Sequence, residues 1–322
     1  TDGQRDHLST ITEATRELTE MVDDFLDSSK LRSRALSIYR QRHTVHELFD
    51  FVEPMITVRA QPKRIKLERL IPQGIPPFFC DLSKAARVLT NLAVNAIKAT
   101  PEGLPLQLWS QTTPDGDTTI GITDQGPGLR PEDLRIIFER FKQLEEPQLA
   151  GTKGFGLGLS IVKQLTWLNL GSIQIQSERG KGSTFSFTLP ACDLTRIVSC
   201  FLENIQSLDE VGDIWMLRIR SPGHAPDVSM LRRVISTFCY PMDIVLEGPD
   251  AATVNVLGVS RNPEAWSARI RKEIARFHRS ITENDAPELD IQIAGPWLRD
   301  ADRLKLHPAL IVALNGELAH AS

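Results

Sequence analysis

Asn91, Asn95 and Lys98 recur at i, i+4 and i+7 in a stretch that reads as helix, so all three project from one face. The opposite face carries Leu82, Ala85, Leu89, Leu92 and Ala96. An amide oxygen is a neutral hard ligand suited to a Mg²⁺ that already holds phosphate and water, and a Lys ammonium suits phosphate as a point charge. Taken alone, the same three residues are more simply explained as a solvated helix face. The order of motifs downstream decides between the two. Asp124-Gln125-Gly126-Pro127-Gly128 follows a strand pattern. Its carboxylate can accept a hydrogen bond from an exocyclic amine such as that of adenine, and its glycines let the chain turn back closely against a base. Gly154, Phe155, Gly156, Leu157 and Gly158 then run directly into another helix, whose backbone N–H groups and positive end can face phosphates.

The spacing of that glycine run fits neither G-x-G-x-x-G nor G-x-x-x-x-G-K-[ST], and it does not directly follow a strand, which argues against Rossmann and P-loop sites. Gly182-Ser183-Thr184-Phe185 closes the set with a tight turn from which Thr184 either reaches a nucleotide or simply suits a strand.

Together, Asn91 to Lys98, Asp124-x-Gly126-x-Gly128, Phe138-Glu139-Arg140-Phe141, Gly154-x-Gly156-x-Gly158 and Gly182 to Phe185 resemble the nucleotide-binding boxes of sensor histidine kinases in order and spacing. The resemblance is specific over about 81–190 and looser over 8–33, where Met21 to Lys30 looks like the second helix of that family's dimerisation domain. It implies a Mg-ATP site in which Asn95 ligates the metal, Asp124 reads adenine, and Lys98 with Arg140 or Lys142 steadies the phosphates. Gly126, Gly128 and residues 154–158 complete the cradle. Asn91 occupies a position where related ATP-hydrolysing enzymes carry a water-activating Glu. An amide cannot act as a general base, so Asn91 suits transfer to an already nucleophilic imidazole better than hydrolysis.

These residues need elements to hold them. Helix is predicted over 81–99 and 157–168, and strands over 65–70, 104–111, 118–123, 172–177 and 183–189, with a shorter, interrupted helix over 49–58 around Pro54. Strands on one face and helices on the other imply an α+β two-layer sandwich. Leu8, Ile11, Thr15, Leu18, Val22 and Phe25 alternate steps of three and four, the seam of a bundle helix that needs a symmetry mate. After Pro190 an amphipathic helix reads as a connector. Beyond it the order strand 214–220, helix 228–238, strand 243–247, strand 253–259, helix 264–280, strand 289–294 is that of a ferredoxin-like (βαββαβ) fold. The expected division is 1–40 partial dimerisation helix, 41–191 ATP-binding domain, 192–210 connector and 211–322 ferredoxin-like domain.

Asp243 to Ala252 in that last domain resembles the region where diguanylate cyclases carry Gly-Gly-Asp-Glu-Phe, but Pro249, Ala251 and Ala252 replace essential residues. The domain is thus either a degenerate, non-catalytic relative or an unrelated ferredoxin-like unit. No His has the acceptor context of the kinase family. His7 and His46-Glu47-Leu48 read as helix-surface residues, so either the acceptor helix lies upstream of Thr1 or this member lacks one. The start at Thr1, close to a helical pattern, leads us to expect that a longer protein was trimmed.

A net charge of -4 gives no argument for nucleic acid, and no apolar run approaches the ~20 residues of a membrane helix. Cys80, Cys192, Cys200 and Cys239 are scattered and read as reduced cytosolic thiols. The expectation is a cytoplasmic, homodimeric histidine-kinase fragment without membrane contact, binding ATP and Mg²⁺, donating phosphoryl to a His outside the chain for relay to a response-regulator receiver. The rival is a pseudokinase, an ATP-dependent switch with a partner-binding C-terminal domain.

Overall fold

The computed structural model describes residues 36–142, 156–207, 212–220, 228–250, 252–281, 289–299 and 301–316, with Ile11, Thr15 and Val22. Most of the predicted bundle helix, with Gly154 and Phe155, lies outside the described residues. Residues 36–40 run as a strap into β1 (Gln41–His43). Helix α1 (Val45–Ala60) then starts on a capping box, with Glu47 N–H donating to Thr44 Oγ1 at 3.3 Å and Thr44 N–H to Glu47 Oε2 at 2.7 Å. It runs unbroken through Pro54, correcting the expected interruption. Pro54 stands on the exposed face while Leu48, Phe49, Val52 and Ile56 are buried, so core packing outweighs one lost hydrogen bond.

The strands β2 (Lys66–Leu70), β4 (Pro105–Thr112), β5 (Thr118–Asp124), β6 (Ile173–Glu178) and β7 (Gly182–Leu189) form one sheet in the order β2-β4-β5-β7-β6. Only the β2–β4 pair is parallel. Alternate residues of β4, β5 and β7 (Leu106, Leu108, Ile120, Ile122, Phe185, Phe187) enter the first core. There they meet the buried faces of α1, α2 (Leu82–Ala99) and α3 (Gly158–Leu168). Short β3 (Phe78–Cys80) pairs with β1 and touches the strand end at Ala191. The helices-on-one-face expectation therefore holds, with strand ends within one residue of those read from the sequence.

A second sheet follows in the order β11-β8-β10-β9, antiparallel throughout, from β8 (Asp213–Arg220), β9 (Ile244–Glu247), β10 (Thr253–Ser260) and β11 (Asp290–Trp297). Helices α5 (Val228–Phe238) and α6 (Pro263–Ile281) cover one face through Leu231, Ile235, Trp266, Ile270 and Ile274. The other face is covered too, by α4 (Leu194–Gln206) and α7 (Arg303–Leu314). Helix α4 is accordingly no free connector. Its Val198, Phe201, Leu202 and Ile205 share a core with Ile214, Met216, Ile244 and Leu257, because an amphipathic helix beside an open apolar sheet face buries its stripe there. Helix α7, carrying Pro308, was not anticipated from the sequence.

The two sheets are joined by residues as well as chain. Phe79 and Leu170 pack into the second core. Arg40, 4% exposed, donates from Nε and Nη2 to Leu168 O, from Nη1 to Asp243 O at 3.0 Å and from Nη2 to Pro241 O at 2.8 Å. Tyr39 N–H donates to Asp81 Oδ2 at 2.9 Å, its hydroxyl to Ser229 O at 3.2 Å, and its ring centroid lies 5.6 Å from the Arg232 guanidinium carbon.

Two outcomes test this packing. Phe201→Ala costs about 3–5 kcal/mol in urea unfolding if α4 is part of the second core; a loss under about 1 kcal/mol contradicts it. Burial pushes the Asp243 carboxyl from 3.8 to about 7, against the opposing Tyr240 N–H, Arg269 and Arg40. A raised acid binds its proton more tightly in the folded chain, so its stabilising effect is present below its ordinary value and is lost as pH rises to about 7. The melting temperature of Asp243→Asn therefore gains on the parent progressively across that window, and parallel pH profiles refute the assignment.

Candidate functional site

Helix α2 begins at Asp81, whose Oδ1 accepts from Lys84 N–H at 3.1 Å. Its far end is held by Lys63, whose Nζ donates to Ile97 O, Lys98 O and Thr100 O at 2.9, 2.7 and 3.2 Å. A cation suits the negative end of a helix. The half-buried Asn91, Asn95 and Lys98 thus sit on a helix fixed at both ends. Asn91 Nδ2 is buried without a hydrogen-bond partner, and a Cβ on Gly158 would lie 4.0 Å from it, so Asn91 faces the start of α3. Asn95 makes no hydrogen bond among the described residues, leaving its amide uncommitted.

Asp124 ends β5 and is 3% exposed. Its Oδ1 accepts from Gly126 N–H at 2.8 Å and Ser183 N–H at 3.2 Å, and no cation pairs with it among the described residues. Burial raises its carboxyl pKa, and the two backbone donors pull it back down. Oδ2 carries neither bond, so one carboxylate oxygen remains to accept a proton donor. The turn after it is packed tightly. A Cβ on Gly126 would stand 2.9 Å from Ala99 O at the end of α2. One on Gly182, at φ +89, would stand 2.1 Å from Asp124 O, so only glycine fits there. Gly128 packs on Glu178, and Gly180 N–H donates to Pro127 O at 2.7 Å, tying the Asp124 loop to the β6–β7 turn.

The Phe138–Phe141 segment meets the end of the glycine loop. Phe141 N–H donates to Gly156 O at 2.9 Å, and Gly156 lies against the main chain of Lys142. Leu157 is buried beneath the first turn of α3. Arg140 is half-buried, and exposed Lys142 lies 3.9 Å from Glu139. Gly126 thus meets the end of α2 at Ala99, Asn91 faces the start of α3 at Gly158, and Asn95 and Lys98 follow Asn91 one and two turns along α2. Nothing places Arg140 or Lys142 nearer than the neighbouring Phe141 contact.

Thr184 is not brought to Asp124. In the β5–β7 register it pairs with Thr123, so its side chain stands on the sheet face away from Asp124, where its hydroxyl meets Thr123 Oγ1 at 2.9 Å. Trp109 Nε1 donates to the same Thr123 hydroxyl. Ser183 is directly opposite Asp124 and supplies the backbone donor; sequence reading passed over it, although strand parity with Asp124 would have found it.

This arrangement has relatives. Residues 80–193 match the family model described as histidine kinase-, DNA gyrase B- and HSP90-like ATPase. The chain is 32% identical over 181 residues to the adaptive-response sensory kinase SasA of Synechococcus sp. (strain JA-2-3B'a(2-13)), covering 56% of this chain and 48% of that protein. It is 31% identical over 185 residues to the sensor histidine kinase YclK of Bacillus subtilis (strain 168), covering 56% of this chain and 38% of that one. A crystal structure of full-length ShkA in complex with AMPPNP aligns at TM-score 0.50 and 29% identity, over 59% of this chain and 39% of that chain. The chain thus spans less than half the length of these relatives.

Two substitutions separate the faces of β7. Gly182→Ala abolishes ATP-analogue binding in calorimetry by displacing the Asp124 main chain, whereas Thr184→Val leaves affinity within about twofold, since it touches only the far face. A Thr184→Val loss of tenfold or more places that residue in the site after all.

Proposed function

We propose that the chain is the catalytic portion of a sensor histidine kinase, binding Mg-ATP and donating the γ-phosphoryl group to a His on a dimerisation helix. The observation that carries this reading is Asp124, a buried carboxylate without a cation, held by two backbone N–H groups through one oxygen. Such a group costs stability unless a ligand completes it, and an adenine amine is the matching donor.

Asn95 offers an uncommitted amide oxygen for Mg²⁺. Among the described residues no group of three or more His, Cys, Asp or Glu could hold a metal alone, so the ion's remaining ligands here are phosphate and water, a donor set that Mg²⁺ accepts. When bound, the metal supplies charge neutralisation on the phosphates. Lys98, with Arg140 or Lys142, adds positive charge, and the start of α3 adds N–H donors. Asn91 separates transfer from hydrolysis. An imidazole nitrogen forms its bond to the γ-phosphorus as the bond to the bridging oxygen breaks and ADP departs, and an amide at Asn91 provides no base to activate water instead. A homodimer, a receiver-domain Asp as next acceptor and a cytoplasmic setting belong to the same reading. Among the described residues, no helix is long and apolar enough to cross a membrane.

We read 211–322 as a ferredoxin-like unit, supported by its βαββαβ order and its β11-β8-β10-β9 sheet. Its likeness to diguanylate cyclases carries no catalysis. Asp250 is spent on its own turn, accepting from Ala252 N–H and Thr253 Oγ1, each at 2.8 Å. The contacts of this unit with the strap favour a regulatory role. They also keep the ATP-dependent switch as a second reading for the whole protein.

Incubation with γ-labelled ATP and a separately supplied dimerisation helix should give acid-labile phosphate on that helix and none on His7 or His46. Asp124→Asn should weaken ATP binding at least about tenfold, the loss of one charge-assisted hydrogen bond. Unchanged affinity would remove Asp124 from the site. Nucleotide binding without any phosphotransfer would favour the switch.

A further inference from the structure

Where the strap crosses the end of α5 and the middle of α6, a half-open cleft of about 240 Å³ lies at the surface. Its apolar lining comes from Leu36, Phe238 and Cys239. Its charged lining is Arg269 and Glu273, one turn apart on α6. The spacing would let them pair, yet no salt bridge joins them; the charge that Arg269 does feel is the buried Asp243 carboxyl, with no hydrogen bond between the two. Arg269 is held from behind by the Tyr240 ring, 4.0 Å from its guanidinium carbon, while its Nη2 is buried with no hydrogen-bond partner. A buried cationic donor left unfilled is costly and uncommon. Beside a cavity, it marks the place of an absent acceptor.

The volume lies below the roughly 300–1,000 Å³ of drug-sized sites, which restricts the occupant to a small molecule. A carboxylate answers Arg269, an ammonium answers Glu273, and a short apolar body answers Leu36 and Phe238. We propose that this cavity binds a free α-amino acid, a small zwitterion held between Arg269 and Glu273 against the strap.

Occupancy reaches the ATPase domain along a short path. The ligand would touch Leu36 and Ser37, and two and three residues further on Tyr39 and Arg40 hold Asp81 at the start of α2 and Leu168 at the end of α3. Those are the two helices whose residues border the nucleotide region. A ligand that fixes the strap therefore changes the affinity of that region, by linkage in both directions.

The test is calorimetric titration of the whole chain with each of the twenty L-amino acids, with acetate and methylamine as separate controls. At least one amino acid should bind, and both Arg269→Gln and Glu273→Gln should weaken it about tenfold or more, as expected for loss of a charge-assisted contact. Glu273, half-buried and with no buried donor of its own, serves as the decisive variant if Arg269→Gln fails to fold. Absence of binding by all twenty, binding unaffected in Glu273→Gln, or acetate binding as tightly as the amino acid overturns the proposal. The coupling clause rests on the ATP reading and is measured separately: ATP-analogue affinity should shift at least about threefold at saturating amino acid, within the usual range of allosteric coupling. An unchanged affinity overturns the coupling and leaves the site standing. Failure of the parent chain to bind any nucleotide overturns the ATP reading, while the amino-acid titration is still decisive for the cavity.

Discussion

The buried Arg40 guanidinium is the contact on which the arrangement of the chain depends. Burial lowers its pKa to about 10, partly offset by Asp81 and Asp243, so it stays charged at neutral pH and must find acceptors. It finds main-chain carbonyls from two distant segments, Leu168 in the first unit and Pro241 and Asp243 in the second. Removing the side chain would leave those carbonyls buried and unpaired, which is why such a pin fixes relative position more firmly than an exposed salt bridge would. Arg40 also ends the strap, so the path from the N-terminal residues into the first unit passes through a contact that the C-terminal unit shares.

The same charge acts along α3. Leu168 is the last residue of that helix, and a cation there complements its negative end, while Gly156 to Gly158 present its positive end to the nucleotide region. Asn169 reinforces the join. Fully buried, it accepts Asp81 N–H on Oδ1 at 2.7 Å and donates from Nδ2 to Leu165 O at 3.1 Å. The beginning of α2 and the end of α3 are thereby one hydrogen-bonded unit, and a displacement at one is transmitted to the other.

Much of this was legible in the residues and part of it was not, for definite reasons. The first unit could be read because its signals are local: glycines where close approach forbids a side chain, Asp124 at a strand end, and an apolar stripe along α2. Thr184 stayed open between nucleotide and strand because motif spacing does not carry strand parity; the β5–β7 register shows that Ser183, not Thr184, shares a face with Asp124. The path of α1 through Pro54 was misjudged because a local propensity was weighed without the core that overrides it. The role of α4 depended on a sheet face whose openness no pattern within α4 could reveal. Arg40 gave no signal at all, since a lone Arg near a strand is ordinarily a surface residue, and its partners lie 128 and more positions away.

That separation bears on how the parts communicate. The residues with local signals lie within 80–193, the span that the family model matches. The contacts that would regulate a site there are instead long-range, and they converge on the five residues 36–40. Long-range contacts are the ones a change in the C-terminal unit can break without unfolding the first core, because Leu36 and Ile38 bury in that core while Tyr39 and Arg40 reach across to Ser229, Pro241 and Asp243. The strap is therefore the element with two discrete sets of partners, and either unit can bias it by gaining or losing its own set.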